Sequence, residues 1–224
     1  MNPVVIVAHY LSSAIAQHRR AVESAVTYAW TDAQSSSYIS AVTAAAQTLP
    51  DFLRPGLRVM SIGINPSLHA ARAGFPFAFR HNRFWPALNQ SQLFSETMIP
   101  GVEATNRLLG RYGIGFTDVV KRATPGMRNL KAADYAAGAL ELEKKIEFAR
   151  PAWLWFHGKT AIGRFKRYYD NSRDPVEWGE QDRLLCSVRC YVSPNPSPAN
   201  ASFSLQDIVA SYDGLAIQLK TASP

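Results

Sequence analysis

Short apolar runs alternate with longer amphipathic segments along the chain after residue 56. Four of the runs end in glycine, proline or polar residues, and each predicts a buried strand: 57–64, 112–120, 153–156 and 184–192. Segments with helical spacing predict helices over 83–93, 101–109, 135–150, 159–168 and 205–219. Because strands and helices alternate, we expect a three-layer α/β/α sandwich with a central, mainly parallel four-stranded sheet.

The segment before this pattern has a different character. Residues 11–49 are rich in Ala, Ser and Thr with spaced apolar residues, which predicts two helices divided near 32–37, and 50–55 reads as a connection. We therefore divide the chain into an N-terminal helical extension, 1–56, and an α/β domain, 57–224. Within that domain the polar segment 167–183, which contains Pro175 and Gly179, predicts an exposed insertion.

The end of the first predicted strand carries candidate chemistry. Gly63 closes the strand and Asn65-Pro66 follows, so Pro66 forbids further ladder bonding and biases Asn65 toward extended geometry. The Asn65 side chain should project from the carboxyl edge of the sheet, where open α/β sheets bind ligands. The aromatic loop 74–78 comes next and could clamp a flat heterocycle. Alternatively, its aromatic residues simply belong to the core.

Three motifs in this region, GINPSL at 63–68, GFPF at 74–77 and NRFW at 82–85, resemble the mismatch-specific uracil/thymine-DNA glycosylases of the uracil-DNA glycosylase superfamily. Residues 112–126 are similar to the second strand of the thymine-DNA glycosylase branch, and 193–200 to the family's second signature in its NPS form. The resemblance covers about residues 57–220. The extension 1–56 lies outside it, and either caps the core or helps to grip DNA.

The resemblance implies a monofunctional DNA repair enzyme. It would flip uracil out of DNA and hydrolyse its N-glycosidic bond, leaving an abasic site. Its partners would be single- and double-stranded DNA containing uracil, and the abasic product; no metal or organic cofactor is expected. A binding protein for uracil or abasic DNA with little turnover is the first alternative. A hydrolase of small nucleotides or esters that uses Ser67 is the second, and it lacks the G-x-S-x-G motif of such enzymes.

The resemblance also assigns roles to residues. Asn65 matches the catalytic asparagine, which orients water and stabilises charge, and Phe77 matches the aromatic residue that stacks on the base. Backbone N–H groups near Ile64 and Phe77 would stabilise the departing uracil anion. Further substrate contacts are expected from Gly63, Ile64, Ser67, Ala70 and Asn195. Expected DNA contacts are Arg83, Lys159, Ser197, Pro198, Ala199 and Asn200, with Lys121, Arg122 and the basic residues of the insertion.

Asp118 stands where the thymine-DNA glycosylase pattern has Asn, and we include it among the catalytic candidates. A carboxylate accepts a hydrogen bond from uracil N3–H but repels O4, so Asp118 is partly protonated, sits back from the base, or polarises a water molecule. The remaining alternative is a structural Asp that caps the Lys121 turn. Lys159 likewise either meets a phosphate at its helix start or is a solvated lysine.

Two other positions depart from the family. Ser67 replaces a glycine, so thymine with its methyl group should fit less well. The loop 198–201 contains Pro198, Ala199, Asn200 and Ala201, where relatives carry a bulky or cationic wedge. We therefore expect a weak preference for the base opposite uracil, and acceptance of single-stranded DNA.

Composition agrees with this outline. A chain of 224 residues, 47% of them hydrophobic, can bury one good core, and a net charge of +7 favours a polyanionic partner. Cys186 and Cys190 are predicted on one face of the fourth strand as reduced core thiols, and they make a poor metal site. Because no apolar run reaches bilayer length, we expect a soluble intracellular monomer with no membrane partner, in the cytoplasm or nucleoid if the source is bacterial.

Overall fold

The computed structural model describes residues 48–221. The helices predicted before residue 48 lie outside the described residues. Residues 49–52 are held against the sheet, because Leu49 is buried and Phe52 and Phe116 exchange two backbone hydrogen bonds of 2.9 Å. This segment immediately precedes β1 and, as described below, contributes to the functional site.

The centre of the fold is a mainly parallel sheet, as predicted. Its strands, in chain order, are β1 (Val59–Gly63), β2 (Ile114–Asp118), β3 (Trp153–His157), β4 (Gly179–Glu180) and β5 (Arg189–Ser193). They lie in the order β2-β1-β3-β5-β4, with β1, β2, β3 and β5 parallel and β4 antiparallel to β5. The sheet thus has one strand more than expected. Two residues inside a polar segment carry no alternation that could predict β4.

Six α-helices connect the strands within the described residues: α1 (Leu68–Ala73), α2 (Phe84–Gln90), α3 (Val102–Tyr112), α4 (Ala132–Ala149), α5 (Lys159–Tyr169) and α6 (Leu205–Thr221). A 3₁₀ turn, Met127–Asn129, precedes α4. The short helix α1 was not predicted. It begins at Ser67, whose Oγ accepts from the Ala70 N–H at 3.1 Å, and ends at Gly74 with a left-handed φ of 75°.

The helices cover both faces of the sheet and confirm the three-layer architecture. Helices α4 and α5 pack on one face, against Met60, Ile62, Leu154 and Phe156. Helices α2, α3 and α6 pack on the other face, against Val59, Phe116, Trp153, Trp155 and Tyr191. Since both faces are covered, β1, β2 and β3 are buried almost throughout, which explains why they are continuous apolar runs in the sequence.

The fourth predicted strand starts later than expected. Residues 185–188 form a tight turn in which Leu185 and Val188 exchange backbone hydrogen bonds of 2.9 and 3.0 Å. Cys186 and Ser187 have positive φ values of 49° and 62°, so they cannot continue a strand. The prediction that Cys186 shares a strand face with Cys190 is therefore wrong. Both thiols are free, and burial raises the pKa of Cys190 to about 12, which makes it unreactive.

None of the helices between residues 48 and 221 combines the length and the apolar character needed to cross a bilayer.

Candidate active site

A cavity of about 530 Å³ opens at the carboxyl ends of β1, β2 and β3. Its volume lies within the usual range for small-molecule sites. The cavity is lined by most of the residues that the sequence singled out: Gly63, Ile64, Asn65, Ser67, Ala70, Phe77, Asp118, Lys159, Asn195, Ser197, Ala199 and Asn200. Four residues expected to contact DNA do not line it: Arg83, Lys121, Arg122 and Pro198. The structure therefore brings together residues that are as far apart in the chain as 63 and 200.

The Asn65 amide is fixed in one orientation at the end of β1. Its Nδ2 donates to Thr124 Oγ1 at 2.8 Å, to Pro66 O at 3.0 Å and to Arg122 O at 3.3 Å. Thr124 is held in turn because its hydroxyl donates to Gly126 O at 2.9 Å. These bonds occupy the donor end of the amide, so Oδ1 remains available as an acceptor. Thr124, which sequence reasoning did not single out, thus sets the orientation of Asn65.

Asp118 lies beside Gly63 at the end of the neighbouring strand. The parallel register pairs the two residues, and a side chain at position 63 would collide with Asp118 Oδ1. Asp118 is 8% exposed, and burial raises the pKa of its carboxyl to about 6, although Lys121 opposes the shift. The Lys121 Nζ lies 3.9 Å from Asp118 Oδ2. The carboxyl group is therefore buried at the cavity, and the attraction of Lys121 and Lys145 does not offset the cost of its burial.

Lys121 binds more closely to Asp51 than to Asp118. Asp51 Oδ1 accepts from Lys121 Nζ at 2.9 Å and from Thr117 Oγ1 at 2.6 Å, while its Oδ2 pairs with Lys145 at 2.9 Å. Asp51 also raises the pKa of Asp118 by repulsion. The sequence placed Asp51 in a connection, where an acidic residue carries no special signal. Its role becomes visible only when the chain before β1 is packed beside β2.

Phe77 lines the cavity in a strained backbone conformation. Its φ is 57°, a left-handed value that is unusual for a bulky side chain. The ring stacks on Phe84, with centroids 4.1 Å apart, and meets the His157 ring edge-on at 5.0 Å. Strain of this kind is kept only where the surroundings impose it, and it is common at ligand sites. The Phe77 and Ile64 N–H groups donate to no other backbone group within residues 48–221.

His157, which sequence reasoning did not select, is the second ionisable group buried at the cavity. It ends β3, and its Nε2 lies 2.8 Å from Ser61 Oγ. Within the part of the chain that the structure describes, its Nδ1 has no partner. Burial lowers the pKa of His157 to about 3, so the imidazole is neutral at physiological pH. Its place at the end of a predicted strand before Gly158 could have identified it, since the same signal identified Asn65.

The loop 195–203 is braced from within. Asn195 Oδ1 accepts from the Ser197 N–H at 2.9 Å, and Asn200 Nδ2 donates to Asn195 O at 3.0 Å. Arg83 holds the same loop from outside the cavity, because its guanidinium donates to the carbonyls of Pro196, Ser197, Asn200 and Phe203. The guanidinium of Arg83, which was expected to contact DNA, thus binds backbone carbonyls of the protein.

Three other basic residues expected near DNA, Arg122, Lys121 and Lys159, are also paired. Arg122 forms hydrogen bonds of 3.0 and 2.6 Å with the carboxylate of Asp134, and Lys121 is bound to Asp51. Lys159 lies at the start of α5, lines the cavity and makes a 3.4 Å ion pair with the exposed Glu177. Of these lysine and arginine side chains, Lys159 is the one placed at the cavity mouth.

Comparison with known proteins agrees with the geometry. The family model described as "Uracil DNA glycosylase superfamily" matches residues 50–213. A solved structure, the "Solution NMR Structure of a putative Uracil DNA glycosylase" from Methanosarcina acetivorans, is similar over 77% of this chain and 97% of that chain. The two are 17% identical in sequence, with a TM-score of 0.52, a level of similarity that shows a shared fold.

Proposed function

The chain belongs to the uracil DNA glycosylase superfamily, and we therefore propose that it removes uracil from DNA by hydrolysing the N-glycosidic bond. The observation that carries the proposal is the fixed Asn65 amide beside the buried Asp118 carboxyl, in a cavity that also presents Phe77. The target nucleotide has to leave the base stack, because its glycosidic bond is inaccessible within it.

We infer the following division of labour. Phe77 stacks on the flipped base, a contact worth about 1–3 kcal/mol by analogy with other base–aromatic contacts. The C1′–N1 bond breaks with its electron pair passing to uracil, and a water oxygen then bonds to C1′ of the oxocarbenium-like sugar. Asn65 Oδ1 orients that water, and the ionised Asp118 carboxylate takes its proton. The Ile64 and Phe77 N–H groups stabilise the uracil anion, which later takes a proton from solvent.

The test is release of free uracil from matched single-stranded, U·A and U·G oligonucleotides. We expect multiple turnovers with the native protein and a loss of about 100-fold or more in Asn65→Ala, because an oriented water and its electrostatic support disappear together. Asp118→Asn should lose the part of the rate that rises with pH through about 6. Gln92→Ala is the control, since Gln92 is exposed and does not line the cavity.

The same oligonucleotides test the preference for the opposite base. The loop 198–201 offers no side chain larger than asparagine, so we expect single-stranded and U·G substrates to be cleaved at similar rates. A preference for U·G above about 100-fold, roughly 2.7 kcal/mol, would contradict this expectation.

A second candidate is a lesion-binding protein with little turnover, which the small loop and the altered Asp118 position favour. No uracil release from any substrate, together with intact binding to uracil-containing or abasic DNA, would replace the enzyme with this alternative.

A further inference from the structure

An exposed aromatic group stands at the rim of the cavity, in the polar insertion 167–183 that was predicted to be exposed. Trp178 is 42% exposed and lines the cavity mouth. Its ring meets Phe203 edge-on, with centroids 5.0 Å apart, and the Lys159 Nζ lies 4.9 Å from its ring centroid. We call Trp178, Phe203 and Lys159 the rim cluster. It combines an aromatic face with a cation at the edge of a site proposed to take a nucleotide.

The rim cluster is held rigidly from two sides. Gln181 Nε2 donates to the carbonyls of Glu177 and Gly179, at 2.9 and 3.1 Å, and so clamps the backbone on both sides of Trp178. The Gln181 N–H donates to Cys190 O at 2.9 Å, which ties this turn to the sheet. On the other side, Arg83 donates to Phe203 O. A large aromatic ring is therefore presented to solvent in a fixed position, which lowers the entropy lost when a ligand binds it.

The loop 198–201 beside the rim cluster has no large side chain that could stack on DNA bases. Pro198, Ala199 and Asn200 are small, and they cannot occupy the space left when a base is flipped. Flipping also leaves the neighbouring base with one uncovered face, and an aromatic side chain is a general stacking partner for any base. Lys159 adds a cation close to where the backbone phosphate of that neighbour would pass.

We propose that Trp178 is a stacking platform for the nucleobase that flanks the flipped nucleotide in single-stranded DNA, with Lys159 beside it as a phosphate contact. This proposal rests on the proposed function, since the platform would bind the same DNA strand whose flipped nucleotide enters the cavity. It replaces the missing wedge by covering the neighbouring base at the rim.

The test measures binding of short single-stranded oligonucleotides that contain 2′-fluoro-2′-deoxyuridine, whose glycosidic bond resists cleavage. One oligonucleotide has both flanking bases; two others carry a tetrahydrofuran spacer in place of the 5′ or the 3′ neighbour. Trp178→Ala should raise Kd about 5- to 150-fold for the complete oligonucleotide, the ratio given by 1–3 kcal/mol of stacking. Trp178→Phe should stay close to native. Phe148→Ala is the control, because Phe148 is 56% exposed on α4 and does not line the cavity.

The spacer separates stacking from a structural effect. On one of the two spacer oligonucleotides, native protein and Trp178→Ala should have equal Kd values. For native protein, that Kd should exceed its Kd for the complete oligonucleotide by about the same factor that Trp178→Ala causes. Equal Kd values for Trp178→Ala and native protein on the complete oligonucleotide would overturn the platform. If Trp178→Ala does not fold, the test uses native protein alone. Native protein that binds both spacer oligonucleotides as tightly as the complete one would also overturn the platform.

Failure of the proposed function gives a different result. In one outcome, native protein releases no uracil from ordinary deoxyuridine while both one spacer and Trp178→Ala weaken binding. That result would mean that Trp178 is a stacking platform in a lesion-binding protein. Uracil release without any effect of Trp178 or of the spacers would retain the enzyme and remove the platform.

Discussion

Burial moves the pKa values of Asp118 and His157 in opposite directions. Desolvation raises the pKa of the Asp118 carboxyl to about 6, against the attraction of Lys121, and lowers the pKa of the His157 imidazole to about 3. Strand β1 lies between the strands that these two residues end. At pH 7 the cavity therefore holds a neutral imidazole and a mostly ionised carboxylate, and the proposed hydrolysis uses the carboxylate to take a proton from water.

Asp118→Asn should make the protein more stable at neutral and alkaline pH. Since the folded pKa of about 6 lies above the ordinary value of 3.8 for an aspartate, Asp118 destabilises the fold as pH rises from about 4 to 6. We expect the substitution to raise the free energy of unfolding at pH 8 on the order of 2–3 kcal/mol, and the gain to shrink toward pH 4. Urea unfolding at pH 8, 6 and 4 measures this, with the exposed Asp182→Asn as control.

A native protein that is more stable than Asp118→Asn at pH 8 would show that Lys121 outweighs burial. His157 contributes with the opposite sign in both proteins. Because its folded pKa lies below the ordinary histidine value of 6.5, the stability that it contributes is present above pH 6.5 and is lost as pH falls toward 3. The comparison between native protein and variant removes this shared contribution.

At the level of elements, the loop 195–203 and the start of α2 form one unit through Arg83. Arg83 and the carbonyls that it reaches are 113 to 120 residues apart in sequence. Hydrogen bonds from a charged donor are stronger than those between neutral groups. The guanidinium therefore fixes a loop whose small side chains could not fix it by packing.

Arg83→Lys should loosen this loop while keeping the charge. A lysine cannot reproduce the planar fork that serves several carbonyls, so we expect a loss of about 2 kcal/mol in stability and faster hydrogen exchange at the Ser197 and Asn200 amides. Hydrogen-exchange mass spectrometry of the loop peptide measures the second effect. Arg80→Lys is the matched control, because Arg80 is exposed. An unchanged exchange rate and an unchanged free energy of unfolding would show that the Arg83 guanidinium does not hold the loop.

Apolar periodicity predicted most of the elements, because the buried strands β1, β2 and β3 and the amphipathic helices each carry a clear pattern. It did not predict β4, which has only two residues, or the turn at Cys186 and Ser187, where left-handed residues occur without glycine. The end of β1 was informative because Pro66 stops the strand. Asn65 and Asp118 could be selected from the sequence because each stands close to the end of a predicted apolar strand.

Contacts between distant segments could not be predicted in the same way. Asp51 reaches Lys121 across 70 residues, and the brace from Arg83 depends on a loop more than 100 residues later. Trp178 lies in a polar segment whose only sequence signal was exposure. These residues derive their roles from tertiary packing, which apolar periodicity does not encode.

At the level of the whole molecule, the net charge of +7 already includes the carboxylates, so the ion pairs determine which cations can meet DNA and do not lower that charge. Lys121 and Lys145 both pair with Asp51, Arg122 pairs with Asp134, and Arg189 pairs with Glu180. Lys159 is the cation that both lines the cavity and faces only a single exposed carboxylate.

Lys159→Gln should therefore reduce the salt dependence of DNA binding. Each phosphate contact contributes about −0.7 to the slope of log K against log salt for single strands, so the variant should lose about that amount. Titrations of single-stranded uracil DNA at several salt concentrations measure the slope. Lys144→Gln, which removes an exposed lysine on α4, should leave it unchanged. A nearly flat slope in the native protein would count against DNA as the partner.

The strand order also determines when the cavity can exist during synthesis of the chain. Strand β3 lies between β1 and β5, and β5 ends at Ser193, so a nascent chain that has not reached this point leaves one edge of β3 unpaired. Helices α2 and α3 precede this point, but the part of the same apolar face that α6 covers remains open until that helix follows. Parallel strands that must wait for distant partners fold slowly and are exposed to aggregation meanwhile. The sheet and the loop 195–203 at the cavity are thus completed only by the last part of the chain, and a chain cut short before Ser193 lacks both.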